Sequence, residues 1–507
     1  MNHRLILVNN ISNALSLLIY LVIAFMMSPF LVKELGVVFY GIWASVQSAV
    51  GYLNLMDMGI QSAVMKYVAQ SDGQDDKKTA ISNIVVNALA FYSLITMVGS
   101  IILCGLFFWG INYLSIAPEN VDLVRTLLLI LGIDMLLMFP GVTFKGVLTG
   151  QHRFYVANVI EITMTIIVAI SIVIAIKNDF SLISMALITL IGNVVRYLLM
   201  LFAANKVYKL FSFTNGKLDR RIFSSLFRFG LRSFIVMVTD RIYLRSDALI
   251  VGYFLSAAWV PFYVIPASLV GYSRNLLWTV TQSFMPLFSS LDGTARGGEI
   301  KNLYFQYSRY ICLCFFPIIV CLFMYGKPFL NLWMGAEFAE KGGIVVKLMA
   351  LSLLPAAIQP LSGRLLTGLA RQDVLFTASL VTAILFIGFG TIGIVQFGIK
   401  GLAGAFLISS FSPVLYILYK TASIVHFMVF DFIKKSVLKP ALLASVFGLI
   451  VHIAGAEGGL ESYASLIVHA TAMMSVYVAG AYCFVLNVQE REKITLAVGK
   501  YLKKITM

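Results

Sequence analysis

The chain has 507 residues, of which 60% are apolar and 12% charged, and its mean hydropathy is +0.91. Soluble domains contain about 45–50% apolar and about 25% charged residues, so this composition excludes a soluble protein built on one core and requires a bilayer. The formal charge of +15 does not indicate a nucleic-acid partner, because the basic residues are scattered between long apolar runs.

A window of about 19–20 residues finds about fourteen apolar segments long enough to cross a membrane as helices. In chain order they lie at roughly 11–32, 38–58, 79–109, 122–148, 154–176, 180–204, 229–254, 258–285, 303–326, 344–370, 373–396, 399–420, 436–455 and 462–486. The sequence therefore predicts an all-α, multi-pass membrane protein.

The loops between these segments predict the orientation of the chain. With the N-terminus in the cytoplasm, about 23 of the 38 Lys and Arg residues fall on the cytoplasmic side and about five in outer loops. This bias predicts an even number of spans with both termini inside. No loop is long enough for a catalytic domain, and no nucleotide, zinc-protease or nucleophile-elbow motif occurs, so the sequence predicts that the protein is not an enzyme.

Two stretches about 220 residues apart resemble each other. The fourth span ends in the residues LTGQHR at 148–153, and the tenth ends in LTGLAR at 366–371. Phe39-Tyr40 and Phe262-Tyr263, near the starts of spans two and eight, show a similar spacing. A repeat of six spans keeps both halves in one orientation, which predicts two bundles related by a pseudo-twofold axis along the membrane normal.

This repeat predicts the domain organisation. A six-helix bundle at 1–204 is followed by a basic cytoplasmic linker at 205–228 and a second six-helix bundle at 229–420. Two further helices and a cytoplasmic tail occupy 421–507. The ligand path is expected between the two bundles.

Several charged residues lie deep within the predicted spans, where each costs about 2.5–3.5 kcal/mol to insert. They are Asp134, Glu161, Arg196, Asp240, Arg241, Arg245, Asp247 and Arg274. Span seven is the richest in charge. At about 100° per residue, Asp240 and Asp247 share one face of an ideal helix, and Arg241 and Arg245 share another.

Two interpretations of these charges stay open. In the first, they form internal salt bridges, for example between Arg241 and Asp134 or Glu161. In the second, they line a wet cavity, because basic residues in the spans outnumber acidic ones and full internal pairing cannot absorb them. A surplus of this sign suits an anionic ligand such as pyrophosphate. The predicted binding residues are Arg241, Arg245, Arg274 and Arg196, and the predicted coupling residues are Asp247, Asp240, Asp134 and Glu161.

Four stretches in chain order resemble motifs of a known family. They are LGVVFYGIW at 35–43, GVLTGQHRF at 146–154, RSDALIVGYF at 245–254 followed by Phe262-Tyr263, and GKPFLNLWMG at 326–335. Together they are similar to the polysaccharide transporter (Wzx-like O-antigen or oligosaccharide flippase) family of the multidrug/oligosaccharidyl-lipid/polysaccharide flippase superfamily.

The resemblance implies a MATE-like flippase fold in the bacterial inner membrane. It implies that an undecaprenyl-pyrophosphate-linked oligosaccharide moves from the cytoplasmic to the periplasmic leaflet by alternating access, coupled to H⁺ or Na⁺ and without a cofactor. It also implies membrane lipids, a polysaccharide polymerase and chain-length regulator proteins as partners. Three alternatives stay open: a lipid II flippase, a multidrug/cation antiporter of the same superfamily, and a sugar polymerase or ligase.

Overall fold

The computed structural model of the protein describes residues 3–71, 77–108, 117–208, 216–282, 284, 288, 297–369, 371–454 and 462–492. Within these ranges the side chains of 3–7, 10, 77, 207, 208, 228–237, 239, 240, 297 and 298 are not described. The described residues contain helices and turns but no strand, which confirms the predicted all-α fold. The chain divides into two compact units, Met1–Val264 and Ile265–Met507.

The described residues of the first unit form eight α-helices and the start of a ninth. They are α1 (His3–Gly51), α2 (Ile60–Gln70), α3 (Lys77–Phe108), α4 (Val121–Gly150), α5 (Phe154–Lys177), α6 (Leu182–Tyr208), α7 (Arg220–Arg245), α8 (Asp247–Phe254) and α9 (Val260–Thr281). One buried cluster, including Val64, Tyr92 and Phe139, joins α2, α3 and α4. A second, including Ile42 and Leu127, joins α1 to α4.

The described helices of the second unit follow α9. They are α10 (Gly297–Met334), α11 (Ala336–Leu351), α12 (Leu353–Ile358), α13 (Pro360–Gly368), α14 (Gln372–Phe397), α15 (Ile399–Val425), α16 (Val429–Phe432), α17 (Leu438–Ile453) and α18 (Tyr463–Gly480). A buried cluster of Leu366, Val374, Ala378 and Ile417 holds α13, α14 and α15 together.

Eleven helical segments among the described residues are long and apolar enough to cross a membrane. The first of them, Ile11–Gln70, has 60 residues, whereas about 20 are enough to cross the hydrocarbon core, and it covers predicted spans one and two. The described residues of predicted spans seven and eight form most of α7, α8 and α9, and these helices are not among the eleven. The count of fourteen spans therefore stays a prediction.

The break between predicted spans one and two lies at Gly36. Its backbone has φ 81° and ψ 164°, a conformation open to glycine but strained for other residues. The glycine of the LGVVFYGIW motif therefore separates two parts of α1.

The two LTGxxR motifs share one local structure. Each of the helices α4 and α13 ends at the motif glycine, and the backbone N–H of the following arginine returns to the carbonyl of the motif leucine. The distances are 3.0 Å from Arg153 to Leu148 and 2.7 Å from Arg371 to Leu366. In both motifs the threonine hydroxyl also donates to the carbonyl four residues earlier. The sequence similarity therefore reflects a repeated way of closing a helix.

The chain passes from α1 to α2 through a turn built on a half-buried carboxylate. Tyr52–Asp57 forms a 3₁₀ turn, and Met58 and Gly59 follow with φ 50° and 71°. The Asp57 carboxylate accepts a hydrogen bond from the Tyr92 hydroxyl at 2.5 Å and further bonds from the backbone N–H groups of Gly59 and Gln61. Asp57 therefore holds the start of α2 against α3.

The last described residues attach to α10 through a second carboxylate. Glu490 forms a salt bridge with Arg309, and only 13% of each side chain is exposed. Its carboxylate also accepts hydrogen bonds from the Tyr310 hydroxyl at 2.6 Å and the Asn487 backbone N–H at 2.8 Å. Burial alone would raise the pKa of Glu490, but these bonds and the Arg309 charge outweigh it and hold the pKa below its ordinary value.

We expect the Glu490→Gln substitution to loosen this attachment by about 2 kcal/mol, because hydrogen bonds to charged groups contribute about 1.5–3 kcal/mol. Amide exchange over residues 487–492 should then be about 30-fold faster at pH 7. Hydrogen–deuterium exchange measures this, with the exposed neighbour Glu492→Gln as the control. Equal exchange in both variants would contradict the attachment.

The attachment should also depend on pH. The Glu490 pKa is lower in the folded than in the unfolded chain, where it is about 4.3. Its stabilisation is therefore fully present above the unfolded value and is lost as the pH falls through the lowered folded value. The protection of the 487–492 amides, measured relative to their intrinsic exchange rates at each pH, should therefore fall only in that acidic range.

Candidate functional site

Arg241, one turn before the end of α7, lies against the aromatic ring of Tyr52. Its guanidinium carbon is 5.6 Å from the ring centroid, which is a cation–π distance. The Tyr52 hydroxyl makes a 2.6 Å hydrogen bond with the Ser246 hydroxyl, at the junction of α7 and α8. The backbone and the hydroxyl bond to Ser246 therefore fix the two ends of the Tyr52 side chain. The face of its ring in turn positions the guanidinium.

The space for this guanidinium depends on Gly51, the last residue of α1. A Cβ atom at this position would lie 2.0 Å from Nη2 of Arg241 and 3.3 Å from its guanidinium carbon. Any side chain at residue 51 must therefore displace Arg241. A glycine next to the tyrosine is what allows the guanidinium to approach the backbone of α1.

The three predicted binding arginines of this unit have no carboxylate at salt-bridge distance among the side chains that the structure describes. No described carboxylate lies within 4.0 Å of Arg196, Arg241 or Arg245. The Nε atoms of Arg196 and Arg241 are buried without a hydrogen-bond partner among the described atoms. The predicted coupling residue Asp240 lies outside the described side chains, so its shared face with Asp247 stays a prediction. Arg196 and Arg241 are half-buried, and a guanidinium partly withdrawn from water without a counter-charge is costly, so an anionic ligand would relieve that cost.

Arg245 and Asp247 lie on either side of Ser246, where α7 ends and α8 begins. The Ser48 hydroxyl donates to the Arg245 carbonyl at 2.9 Å, which ties this junction to α1. Asp247 is the first residue of α8 and accepts the backbone N–H of Ala248 at 2.9 Å, a favourable position for a negative charge. Both Arg245 and Arg241 interact electrostatically with the Asp247 carboxylate. The structure thus brings these three predicted residues together.

A second polar group joins α4 and α6. The side-chain amide of Asn193 donates to both carboxylate oxygens of Asp134, at 3.0 and 2.8 Å. Arg196, one turn further along α6, interacts electrostatically with Asp134 from beyond salt-bridge distance. Asp134 is therefore held by a neutral amide, and its charge offsets that of Arg196 only in part.

Glu161 is paired within the same unit. Its carboxylate lies 2.5 Å from Nζ of Lys145, which joins α5 to α4. Both side chains are a little more than a quarter exposed. Neither Asp134 nor Glu161 therefore pairs with Arg241.

Arg274 belongs to the second unit, on α9. Its Nη2 donates to the Ser352 hydroxyl at 3.3 Å, and its guanidinium carbon lies 5.0 Å from the centroid of the Phe406 ring. These contacts hold Arg274 among α11, α12 and α15. Among the described residues, no group of three or more His, Cys, Asp and Glu side chains is arranged to hold a metal ion.

Sequence reasoning missed the residues that surround the predicted charges. Tyr52, Gly51 and Ser246 position Arg241, and Asn193 holds Asp134. One signal was available for Asn193, since it lies three residues before Arg196 on the same helical face. Gly51 and Tyr52 give no such signal, because their contact with Arg241 joins helices about 190 residues apart.

We expect Gly51→Ala to reduce transport at least about tenfold while the protein still folds and inserts. The added Cβ meets the end of a flexible arginine, so Arg241 moves away at little cost in stability but loses its position. Gly105→Ala on α3 is the matched control, because a Cβ there meets nothing within 4 Å. Transport of the natural substrate and expression level are measured together. Unchanged transport in Gly51→Ala would show that the position of Arg241 does not matter.

Two curated relatives are similar to most of this chain. An uncharacterized membrane protein of Bacillus subtilis (strain 168), EpsK, is 24% identical over 338 residues, which are 66% of this chain and 66% of the relative. A putative O-antigen transporter of Shigella flexneri is 22% identical over 375 residues, which are 72% of this chain and 87% of the relative.

The fold is similar to that of a solved transporter. The structure of a lipid II flippase, MurJ, in an inward closed conformation aligns with a TM-score of 0.71 and 15% sequence identity. The alignment covers 94% of this chain and 99% of the flippase. This similarity confirms the flippase fold that the sequence motifs predicted.

A family model described as polysaccharide biosynthesis protein matches residues 30–342, which is more than half of the chain. The matched region contains all four sequence motifs and the arginines of α6 and α7. Where the names of the relatives state an activity, that activity is transport. The chain is therefore a multi-pass membrane protein that belongs to the polysaccharide biosynthesis protein family.

Proposed function

We propose that this protein is a flippase that moves an undecaprenyl-pyrophosphate-linked oligosaccharide from the cytoplasmic to the periplasmic leaflet of the bacterial inner membrane. The proposal rests on the Arg241 side chain, which is held in place without a described counter-charge. Its guanidinium is held by an aromatic face, its Nε atom is buried, and no described carboxylate pairs with it. A tyrosine ring orients the cation without neutralising it, so its charge stays available to an anion.

The physical requirement of the reaction matches this arrangement. The undecaprenyl tail can stay in lipid, whereas a bare ion in hydrocarbon costs tens of kcal/mol by idealised estimates. Guanidinium groups replace the hydration of a diphosphate with paired, charge-assisted hydrogen bonds. We assign Arg241 and Arg245 to the diphosphate, with Arg196 and Arg274 as further basic residues along the path.

Coupling to H⁺ or Na⁺ would require a carboxylate that binds the ion and thereby changes the electrostatic field at the arginines. Asp247 suits this role best among the described candidates, because its charge reaches both Arg241 and Arg245. Asp134 is engaged by Asn193 and Glu161 by Lys145, so each would first have to leave its partner. Asp240 remains a candidate on its sequence position alone.

The two six-helix bundles at 1–204 and 229–420 alternate access, the linker at 205–228 and both termini face the cytoplasm, and a polymerase and chain-length regulators act on the product. The name of the Shigella relative supports an O-antigen-like repeat unit as the cargo.

The substrate class is tested by complementation in three strains. The gene is introduced into a strain lacking its O-antigen flippase, one depleted of its lipid II flippase, and one lacking its drug exporters. We expect surface polysaccharide to return in the first strain only. Rescue of growth in the second, or drug resistance in the third, without polysaccharide would favour the corresponding alternative.

A further inference from the structure

Residues 426–439, here called the connector, link α15 to α17. The connector contains α16 and a π-helical turn at Ile433–Val437. It follows the candidate span Ile399–Val425 directly and overlaps the start of the candidate span Val429–Ile453. It therefore lies where two membrane helices meet one surface of the bilayer.

One side of the connector is fixed to α10. The rings of Phe427 and Phe432 stack on Tyr304 with centroids 5.5 and 5.1 Å away. The Ser436 hydroxyl donates to the backbone carbonyl of Phe305 at 2.9 Å. These contacts give the connector a defined orientation, so the direction of its other side chains is set by the fold.

The opposite side exposes apolar and basic side chains together. Met428 and Phe430 are each 73% exposed, among the most exposed large apolar residues that the structure describes. Lys434, Lys435 and Lys439 are also exposed. The connector contains three lysines and one aspartate, Asp431. With its histidine neutral, it therefore carries a net positive charge.

This combination has a specific physical meaning at a membrane surface. Large apolar side chains beside lysines enter the boundary between headgroups and acyl chains, and the lysines then meet lipid phosphates. Phe427 and Phe432 pack against the protein, whereas Met428 and Phe430, which lie between them in sequence, are exposed. The fold therefore separates the protein-facing from the lipid-facing residues.

We propose that the connector is a binding site for the headgroups of anionic phospholipids of the surrounding bilayer. Met428 and Phe430 enter the interfacial layer, and Lys434, Lys435 and Lys439 bind the phosphates. This lipid is a resident of the bilayer rather than the transported cargo. Anionic lipid thereby holds the junction between α15 and α17 at the membrane surface.

The test uses the purified full-length protein in neutral detergent and native mass spectrometry with added phosphatidylglycerol or phosphatidylcholine. The variant K434Q/K435Q/K439Q is compared with K206Q/K217Q/R220Q, which removes three exposed basic residues elsewhere in the chain. We expect the connector variant to bind phosphatidylglycerol at least about tenfold more weakly and the control to bind it normally. Binding of phosphatidylcholine should change in neither.

Equal phosphatidylglycerol binding by both variants would overturn the proposal. Displacement of the lipid by an equal concentration of inorganic phosphate would also overturn it, because the site would then take free phosphate. If the triple variant expresses poorly, M428S/F430S tests the apolar half of the site, and unchanged lipid binding there would count against it. Transport is not measured, so failure here leaves the proposed flippase function untouched.

Discussion

Replacing Arg241 by glutamine should lower export of lipid-linked polysaccharide by about a hundredfold or more, with normal expression and insertion. Removing one preorganised donor from a site that stabilises developing or transferred charge costs about 10²–10³ in rate. No described carboxylate lies within salt-bridge distance of Arg241, so its removal breaks no described ion pair, and we expect no loss of stability. Surface polysaccharide in a flippase-deficient strain measures the loss.

The control for this experiment is Arg220→Gln, an exposed arginine at the start of the same helix. Arg241→Lys gives a finer comparison, because lysine keeps the charge but loses the planar fork and much of the contact with Tyr52. We expect an intermediate loss of about tenfold. Full export by Arg241→Gln would mean that this guanidinium serves the fold alone.

Replacing Asp57 by leucine should destabilise the first unit by about 3–4 kcal/mol. The change leaves the buried Tyr92 hydroxyl without an acceptor, which costs about 1–3 kcal/mol, and removes the acceptor for two backbone N–H groups at the start of α2. The melting temperature of the purified protein should fall by about 5–10 °C.

A double-mutant cycle separates the two effects. Tyr92→Phe alone should cost about 1–2 kcal/mol, and Asp57→Leu with Tyr92→Phe should cost less than the sum of the single changes, because the orphaned hydroxyl is gone. Strict additivity of the two substitutions would show that the hydrogen bond contributes nothing to stability.

The parts of the fold that were predictable from the sequence follow from local chemistry. Gly36 marks the break in α1 because its backbone angles favour glycine, and the glycines of the two LTGxxR motifs end their helices in one common geometry. Apolar windows predicted the helices because a lipid-facing helix must be apolar along its whole length. Local rules therefore sufficed wherever the determining contacts are within one turn of helix.

The surroundings of the charged residues were not predictable for the opposite reason. Arg241 rests on Tyr52, Asp134 is held by Asn193 and Glu161 by Lys145, and each contact joins different helices. A helical wheel arranges residues on one helix but says nothing about the neighbour it meets. The wheel also assumed an uninterrupted span seven, whereas α7 ends at Arg245 and α8 begins at Asp247.

We assign Arg241 to bind the diphosphate while the lipid crosses the membrane. Liposomes that contain the purified protein and a fluorescent undecaprenyl-pyrophosphate oligosaccharide, with an impermeant glycosidase outside, measure this role through lipid flipping. We expect wild-type protein to expose the inner-leaflet lipid to the enzyme and Arg241→Gln to leave about half of it protected. Equal exposure with both proteins, or protection with the wild type under an imposed H⁺ or Na⁺ gradient, would contradict it.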